Sequence, residues 1–234
     1  MNAQRIFDRA RADTQPPLCY PPYTSTAKRA PLEPLIPIPP TALELGSPLV
    51  PLHTCPALCD LTQAGRAPPL GERIIVSGHV TDEDGKPLVG VLIELWQANA
   101  AGRYKHLHDT HDAPIDPHFE GSGAVVTDAD GAYRFITIKP GAYPWRNHPN
   151  AWRPAHLHFS VFGACLLTRL VTQMSFPGDP LLAHDPIFMS IANRAARERL
   201  VAPLDWSLTV PEFGLGYRFD IVLGGRSGTP GEQA

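Results

Sequence analysis

The fold of this chain is decided by the stretch Arg153-Pro154-Ala155-His156-Leu157-His158-Phe159-Ser160-Val161. Its pattern predicts a β-strand, in which residues two apart point to the same side. His156 and His158 can therefore present ring nitrogens to one point. Because two imidazoles on one face are costly to bury without partners, the pair favours a metal site over two structural core histidines.

Two tyrosines upstream lie in glycine-containing contexts, Tyr104 within 102–106 and Tyr143 within 139–145. Tyrosine is an unusual metal ligand because its hydroxyl has an ordinary pKa of about 10, so only a strongly charged, hard cation holds it as phenolate at neutral pH. Ferric iron meets this requirement, whereas zinc more often takes Cys, His or carboxylate ligands. Two tyrosines with the histidine pair therefore favour ferric iron.

Other metal motifs fit less well. A cupin-type site needs a glutamate shortly after the second histidine, and the sequence has none between His158 and Glu198. The two-histidine, one-carboxylate triad of ferrous oxygenases has only a local match, His118-Phe119-Glu120, in a loop flanked by Pro and Gly. The main rival is the loop 106–111, with His106, His108 and His111, for which we favour the interpretation of a solvated loop.

Composition bounds the class of protein. The 234 residues suit one large domain, or one domain with an ordered arm. A net charge of −3 gives no basic excess, so nothing indicates nucleic acid or an anionic membrane as partner. No apolar run approaches the roughly 18 residues of a membrane span, and residues 1–11 lack the apolar centre of a signal peptide. We therefore expect a cytoplasmic protein.

The four cysteines do not form the dense pattern of a secreted disulfide scaffold. Cys55 and Cys59 are the only close pair. No second pair follows at zinc-finger spacing, so we favour unpaired thiols over a zinc site.

Proline marks the first part of the chain, since residues 1–70 hold fourteen of the 27 prolines. Proline fixes φ and removes a hydrogen-bond donor, which excludes the middle of a sheet and a long helix. The segment also carries too many apolar residues for a free linker. We predict an extended arm over 1–70, packed on its own core and on a partner chain, and a catalytic domain over 71–234.

Beyond residue 71 the pattern is almost entirely β. Turn signals predict two hairpins. These pair 74–80 with 88–96, and 123–127 with 133–138. Further strands are predicted over 155–163, 165–173 and 217–223. Only residues 190–200 have a helical composition, with Asn193 or Ser190 as a possible N-cap. The chain is therefore predicted to be an all-β, antiparallel β-sandwich with one short helix, and its end, 224–234, is predicted to fray.

Three motifs in this order make a specific resemblance. They are Gly102-Arg103-Tyr104, Pro140-Gly141-Ala142-Tyr143-Pro144-Trp145 and Arg153-Pro154-Ala155-His156-Leu157-His158. Together they resemble the intradiol ring-cleaving dioxygenases, and the similarity extends from about Tyr23 to Leu223. The resemblance implies one non-haem Fe(3+) per chain held by Tyr104, Tyr143, His156 and His158.

The same resemblance implies further roles by position. Tyr143 matches the tyrosine that leaves the metal when substrate binds, Arg153 a guanidinium beside the iron, and Gln173 a polar side chain near it. Substrate contacts are implied for Tyr23, Trp145 and Ile187, although the arm around Tyr23 departs from the family pattern.

Within the family, the resemblance is to the iron-bearing chains that cleave protocatechuate with O2 to 3-carboxy-cis,cis-muconate in aromatic compound degradation. It implies a homologous alpha subunit in a hetero-oligomer, with the Pro-rich arm as a clasp on this neighbour. One alternative is a catechol or hydroxyquinol 1,2-dioxygenase, but such relatives carry an N-terminal helical segment that the arm does not resemble. A remote alternative is a non-enzymatic transthyretin-like sandwich module, which gives no reason for the two tyrosines and two histidines.

Overall fold

The computed structural model describes residues 12–36, 58–150, 152–163 and 169–232. Within these ranges the chain is mostly β-sheet with few helices, which confirms the predicted class. The strands are β1 Leu58–Asp60, β2 Arg73–Asp82, β3 Leu92–Trp96, β4 Ser122–Val126, β5 Ala132–Ile138, β6 Tyr143–Pro144, β7 Trp152–Arg153, β8 His156–Phe162, β9 Leu170–Ser175, β10 Leu215–Arg218 and β11 Ile221–Leu223.

The prediction of one short helix is wrong, because the described residues contain three. These are α1 Thr26–Arg29, α2 Pro186–Ser190 and α3 Arg194–Glu198, with short 3₁₀ helices at Ala12–Thr14, Leu61–Gln63 and Pro180–His184. Helix α3 is shorter than the predicted 190–200, since Asn193 is its extended N-cap and accepts a hydrogen bond from the Ala196 amide. Ser190 instead ends α2. Helices of one turn have too few residues for a helical period to show.

The strands form two main sheets and a small one. The first sheet has the order β1-β5-β2-β10, with β11 also on β2; the second is β4-β3-β8-β9, and β6 pairs with β7. The second sheet is antiparallel, but the first is mixed because β1, β10 and β11 pair in parallel with their neighbours. The antiparallel prediction is therefore wrong for the first sheet, since alternation indicates which face a residue occupies and not strand direction.

Both predicted hairpins are wrong as strand pairs. The turns exist, since the Asp82 amide donates to the Lys86 carbonyl and the Asp128 amide to the Ala132 carbonyl. However, β2 and β3 lie in different sheets, as do β4 and β5. A turn signal specifies a reversal of the chain but not lateral pairing, and here each reversal carries the chain from one sheet to the other.

Side chains of both sheets meet in one hydrophobic core. Val76 and Phe135 come from the first sheet. From the second, Leu157, Phe159 and Val161 of β8 enter the same core. Because successive side chains alternate across a strand, this register directs the two histidines of β8 to the opposite face. The predicted strand with both histidines on one side is confirmed.

The predicted strand over 217–223 is interrupted between β10 and β11, both of which pair with β2. At the interruption the Phe219 amide donates to the Ser77 carbonyl. A Cβ at Gly78 would lie 1.9 Å from the Phe219 carbonyl oxygen. Only glycine allows the two backbones to approach this closely.

The prediction that residues 224–234 fray is wrong for the described part of this tail, 224–232. Thr229 is buried, its amide donates to the Val222 carbonyl, and the Pro230 carbonyl accepts from the Thr172 hydroxyl at 2.6 Å. The Glu232 amide donates to the Val171 carbonyl at 2.8 Å. Because β9 lies at the edge of its sheet, its free backbone groups are available to hold the tail.

Parts of the N-terminal prediction can be located. β1 comes from within 1–70 and forms an edge of the first sheet, and Cys59 in it is a free thiol. The predictions that concern Cys55, the proline cluster at 37–40 and the start of the strand at 165 lie outside the described residues. In the part of the chain that is described, no helix is long and apolar enough to cross a membrane.

Candidate metal centre

His156 and His158 direct the same ring nitrogen to one place. Their Nε2 atoms are 3.2 Å apart. The opposite nitrogen of each ring is engaged, Nδ1 of His156 with the Pro154 carbonyl at 2.7 Å and Nδ1 of His158 with Glu232 Oε2 at 3.1 Å. With Nδ1 as the donor in both rings, the two Nε2 lone pairs face each other, which is the arrangement of histidines that share a cation.

Two loops that touch at glycines bring the tyrosines to the same place. A Cβ at Gly102 would lie 2.1 Å from the Ala142 carbonyl oxygen, and one at Gly141 would lie 2.5 Å from the Ala100 carbonyl oxygen. This close approach sets the rings of Tyr104 and Tyr143 edge to face, with centroids 5.3 Å apart. The glycines beside both tyrosines therefore serve to bring the loops together.

The four donor atoms form a continuous array. The Tyr143 hydroxyl lies 3.4 Å from His156 Nε2, and the Tyr104 hydroxyl lies 3.2 Å from His158 Nε2. In a tetrahedral site with metal bonds of about 2.0–2.1 Å, neighbouring donor atoms lie about 3.3 Å apart. The spacing of these donors therefore fits one metal ion.

The protonation of the donors identifies the kind of ion they would need. Burial raises the pKa of both Tyr104 and Tyr143, so neither phenol ionises readily by itself. Burial, with the charge of Arg153 and the neighbouring His158, lowers the pKa of His156 well below its ordinary value and keeps that ring neutral. Two histidine nitrogens together with two phenols that require a strong cation to ionise are a donor set suited to a trivalent ion.

Arg153 sits beside this array in a buried ion pair that the sequence did not predict. Its Nε lies 2.9 Å from Asp185 Oδ1, and both side chains are only 3% exposed. Burial opposes the charge, but the Asp185 carboxylate holds the pKa of Arg153 above its ordinary value. Arg153 also donates to Gln173 Oε1 at 2.6 Å and is the cross-strand neighbour of Tyr143. Asp185 is also the N-cap of α2. This local role does not indicate from the sequence that its side chain contacts Arg153.

The sequence also did not predict the role of Glu232. Its Oε2 accepts from His158 Nδ1 and from Gln173 Nε2. Burial would raise the pKa of Glu232, but these hydrogen bonds and the charge of Arg153 hold it below its ordinary value. A carboxylate in a polar, glycine-rich tail carries no pattern that could have indicated this position.

Two of the three residues predicted to contact substrate pack together beside Arg153. Tyr23 and Trp145 pack edge to face with centroids 4.8 Å apart, and the Arg153 guanidinium lies 5.1 Å from the Trp145 centroid. The Thr24 amide donates to the Asn147 carbonyl, which fixes this part of the arm to the loop after Trp145. Ile187 lies on α2, two residues after Asp185, and is partly exposed.

Neighbouring strands support His158 on both sides. In the register of the second sheet, His158 lies opposite Trp96 on β3 and opposite Gln173 on β9. The Trp96 and His158 rings stack with centroids 4.7 Å apart. This contact fixes the plane of the imidazole.

The rival histidine loop does not form a comparable group. The rings of His106 and His108 are 5.2 Å apart, and His106 Nδ1 accepts from the His108 amide. His111 packs against Trp152 instead. Across the described ranges, no three His, Cys, Asp or Glu side chains lie together as a metal site.

Comparison with known families identifies the class. Residues 50–225 match the model of a family described as "Dioxygenase". Residues 7–41 match a model described as "Protocatechuate 3,4-dioxygenase beta subunit N terminal". The chain therefore belongs to the intradiol ring-cleavage dioxygenase family, whose members use non-haem iron.

Individual relatives agree with this assignment. The chain is 53% identical over 236 residues to the protocatechuate 3,4-dioxygenase beta chain of Burkholderia cepacia, with 100% of both chains covered. It is 38% identical to the hydroxyquinol 1,2-dioxygenase of a Rhizobium species, over 50% of this chain and 42% of that protein. Among solved structures, 3-chlorocatechol 1,2-dioxygenase of Rhodococcus opacus 1CP has a TM-score of 0.55 at 27% identity. The match covers 76% of this chain and 69% of that chain.

Proposed function

We propose that Tyr104, Tyr143, His156 and His158 hold one non-haem Fe(3+) and that the chain uses it to cleave protocatechuate with O2 to 3-carboxy-cis,cis-muconate. The observation that carries this proposal is the array of two phenol oxygens and two Nε2 atoms spaced 3.2 to 3.4 Å apart. When bound, Fe(3+) would supply a Lewis acid that holds both catechol oxygens and activates the ring toward O2. Full-length similarity to a protocatechuate 3,4-dioxygenase beta chain supports this choice of substrate.

The chain's own residues have distinct tasks in this proposal. Held as a phenolate by the ion, the Tyr143 oxygen could accept the proton of one of the two catechol hydroxyls, so that hydroxyl needs no separate base. Arg153, fixed by Asp185 and Gln173, directs a permanent positive charge at the site and stabilises negative charge that develops on the ring. Tyr23 and Trp145 form an aromatic wall beside it, and Ile187 is assigned to the same pocket.

We further propose that the two sheets pack as a β-sandwich and that an arm over 1–70 contacts a homologous alpha subunit in a hetero-oligomer. The shared core of the two sheets supports the sandwich. Leu32, Leu35 and Ile36 of the arm are 98%, 66% and 86% exposed, which leaves apolar surface for a partner. The names of the full-length relative and of the matching N-terminal model both refer to a beta chain, which implies an alpha partner.

The direct test is a visible spectrum with iron quantitation on full-length protein co-expressed with its candidate alpha partner. We expect a broad phenolate-to-ferric band that shifts when protocatechuate is added without oxygen, and a smaller effect with plain catechol. The spectrum reports tyrosinate ligation and substrate chelation in one experiment. A protein that stays colourless after ferric reconstitution would refute the iron site, whereas a stronger response to catechol would refute only the substrate.

Replacing Tyr143 by phenylalanine is expected to leave iron bound but to slow catechol binding and product release. The ring keeps its contacts with Tyr104 and His156, while the oxygen that would accept a substrate proton is lost. We expect a fall in turnover of roughly 10²-fold to 10⁴-fold, the range of a lost acid–base group. Stopped-flow substrate binding and iron content measure the two effects separately, and loss of iron from this variant would contradict a displaceable role.

A further inference from the structure

The described C-terminal tail brings a carboxylate to the back of the candidate metal centre. Glu232 Oε2 lies 3.1 Å from His158 Nδ1, and the side chains are 17% and 12% exposed. The corresponding nitrogen of His156 meets only the neutral Pro154 carbonyl. The two histidines therefore differ in the charge of the group behind them.

We propose that Glu232 is a positioning residue that orients His158 and strengthens it as a donor to the ion. A carboxylate that accepts from Nδ1 fixes the tautomer in which Nε2 carries the lone pair, and it strengthens Nε2 as an electron-pair donor to an ion. This inference rests on the proposed function, since it presumes that His158 Nε2 binds the ion.

Glu232 also connects the histidine to the guanidinium. The same oxygen accepts from Gln173 Nε2, and Gln173 Oε1 accepts from Arg153 at 2.6 Å. A continuous hydrogen-bonded chain thus joins Asp185, Arg153, Gln173, Glu232 and His158. Because each member limits the geometry of the next, the tail contributes to the position of Arg153 as well as of His158.

The tail is anchored well enough to hold this position. The Gly231 amide donates to Gln15 Oε1 at 2.8 Å, so a residue near the N-terminus also supports it. The Glu232 amide donates to the Val171 carbonyl on β9. Hydrogen bonds from two successive amides, those of Gly231 and Glu232, therefore hold the tail in place in addition to the contact of the carboxylate with the histidine.

The test compares Glu232→Gln and Glu232→Ala with the unchanged protein, all full length and loaded with Fe(3+). Glutamine keeps the size and an acceptor oxygen but removes the charge, whereas alanine removes both. We measure the rate at which a ferric chelator removes iron, together with the phenolate-to-ferric band. Changes of this kind in other proteins cost about 10-fold to 100-fold in metal affinity. We expect iron loss from Glu232→Ala to accelerate by that factor, with Glu232→Gln intermediate.

Glu198→Gln is the matched control, because Glu198 lies on α3 in an exposed pair with Arg194. We expect it to lose iron at the unchanged rate. If both Glu232 variants also lose iron at that rate, with the same absorption band, the proposal is overturned. Lower unfolding midpoints of the apoproteins with unaltered iron loss from the folded state would show a purely structural role and would overturn it equally. An unchanged protein that binds no iron would instead refute the proposed function.

Discussion

Replacement of His156 by alanine is expected to remove the iron and the ring-cleaving activity together. His156 is only 2% exposed, and its Nε2 lies next to both the Tyr143 hydroxyl and His158 Nε2. Alanine removes a donor from the middle of the array, between the Tyr143 hydroxyl and His158 Nε2. The loss in metal affinity should exceed the roughly 100-fold upper limit typical of residues that only support a ligand.

Iron content after ferric reconstitution, and O2 uptake with protocatechuate, check this result. The matched control is His108→Ala in the exposed histidine loop, which should keep both the iron and the activity. This pair of variants also decides between the two histidine groups. Iron retained by the His156 variant and lost by the His108 variant would move the metal site to the loop.

The second large effect is expected for Arg153→Ala, which should lower turnover far more than iron content. Removal of one preorganised electrostatic group from an active site costs about 10²-fold to 10³-fold in kcat. The variant also leaves the Asp185 carboxylate buried without its partner, with both side chains only 3% exposed in the unchanged protein. Removing one partner of a buried ion pair costs roughly 3–5 kcal/mol of folding free energy. We therefore expect a lower unfolding midpoint as well.

Two further variants separate these effects. Arg153→Ala combined with Asp185→Ala should recover part of the stability, because the unpaired charge is gone, but none of the turnover. Arg218→Ala breaks a more exposed arginine–aspartate pair with Asp205 and should leave turnover unchanged. Turnover at the original level in the Arg153→Ala protein would remove this residue from the mechanism.

Several features of the site follow from local rules that a sequence can express. The two histidines lie on one side of β8 because a strand alternates its faces, and the apolar residues between and after them determine which side is the core. The sequence places glycines near both tyrosines, and the structure shows the reason in the close approach of the two loops. The assignment of Tyr104 and Tyr143 as ligands came from phenol chemistry and family resemblance, and it stays a prediction until the iron is measured.

Other features depend on which distant segments meet, and local patterns do not contain that information. The turn signals were correct as reversals, but they could not indicate that β2 and β3 belong to different sheets. Strand direction was missed in the first sheet because its parallel partners come from remote parts of the chain.

The sequence by itself therefore determined the β-rich class, the strand that carries the histidine pair and the residue types suited to ferric iron. Only the tertiary structure decided that Asp185 pairs with Arg153 and that Glu232 supports His158. Each pair joins residues 32 or 74 positions apart. The free energy of such a contact comes from burial and from geometry that the whole fold creates, so neither carboxylate shows a local pattern that distinguishes it from a carboxylate at the surface.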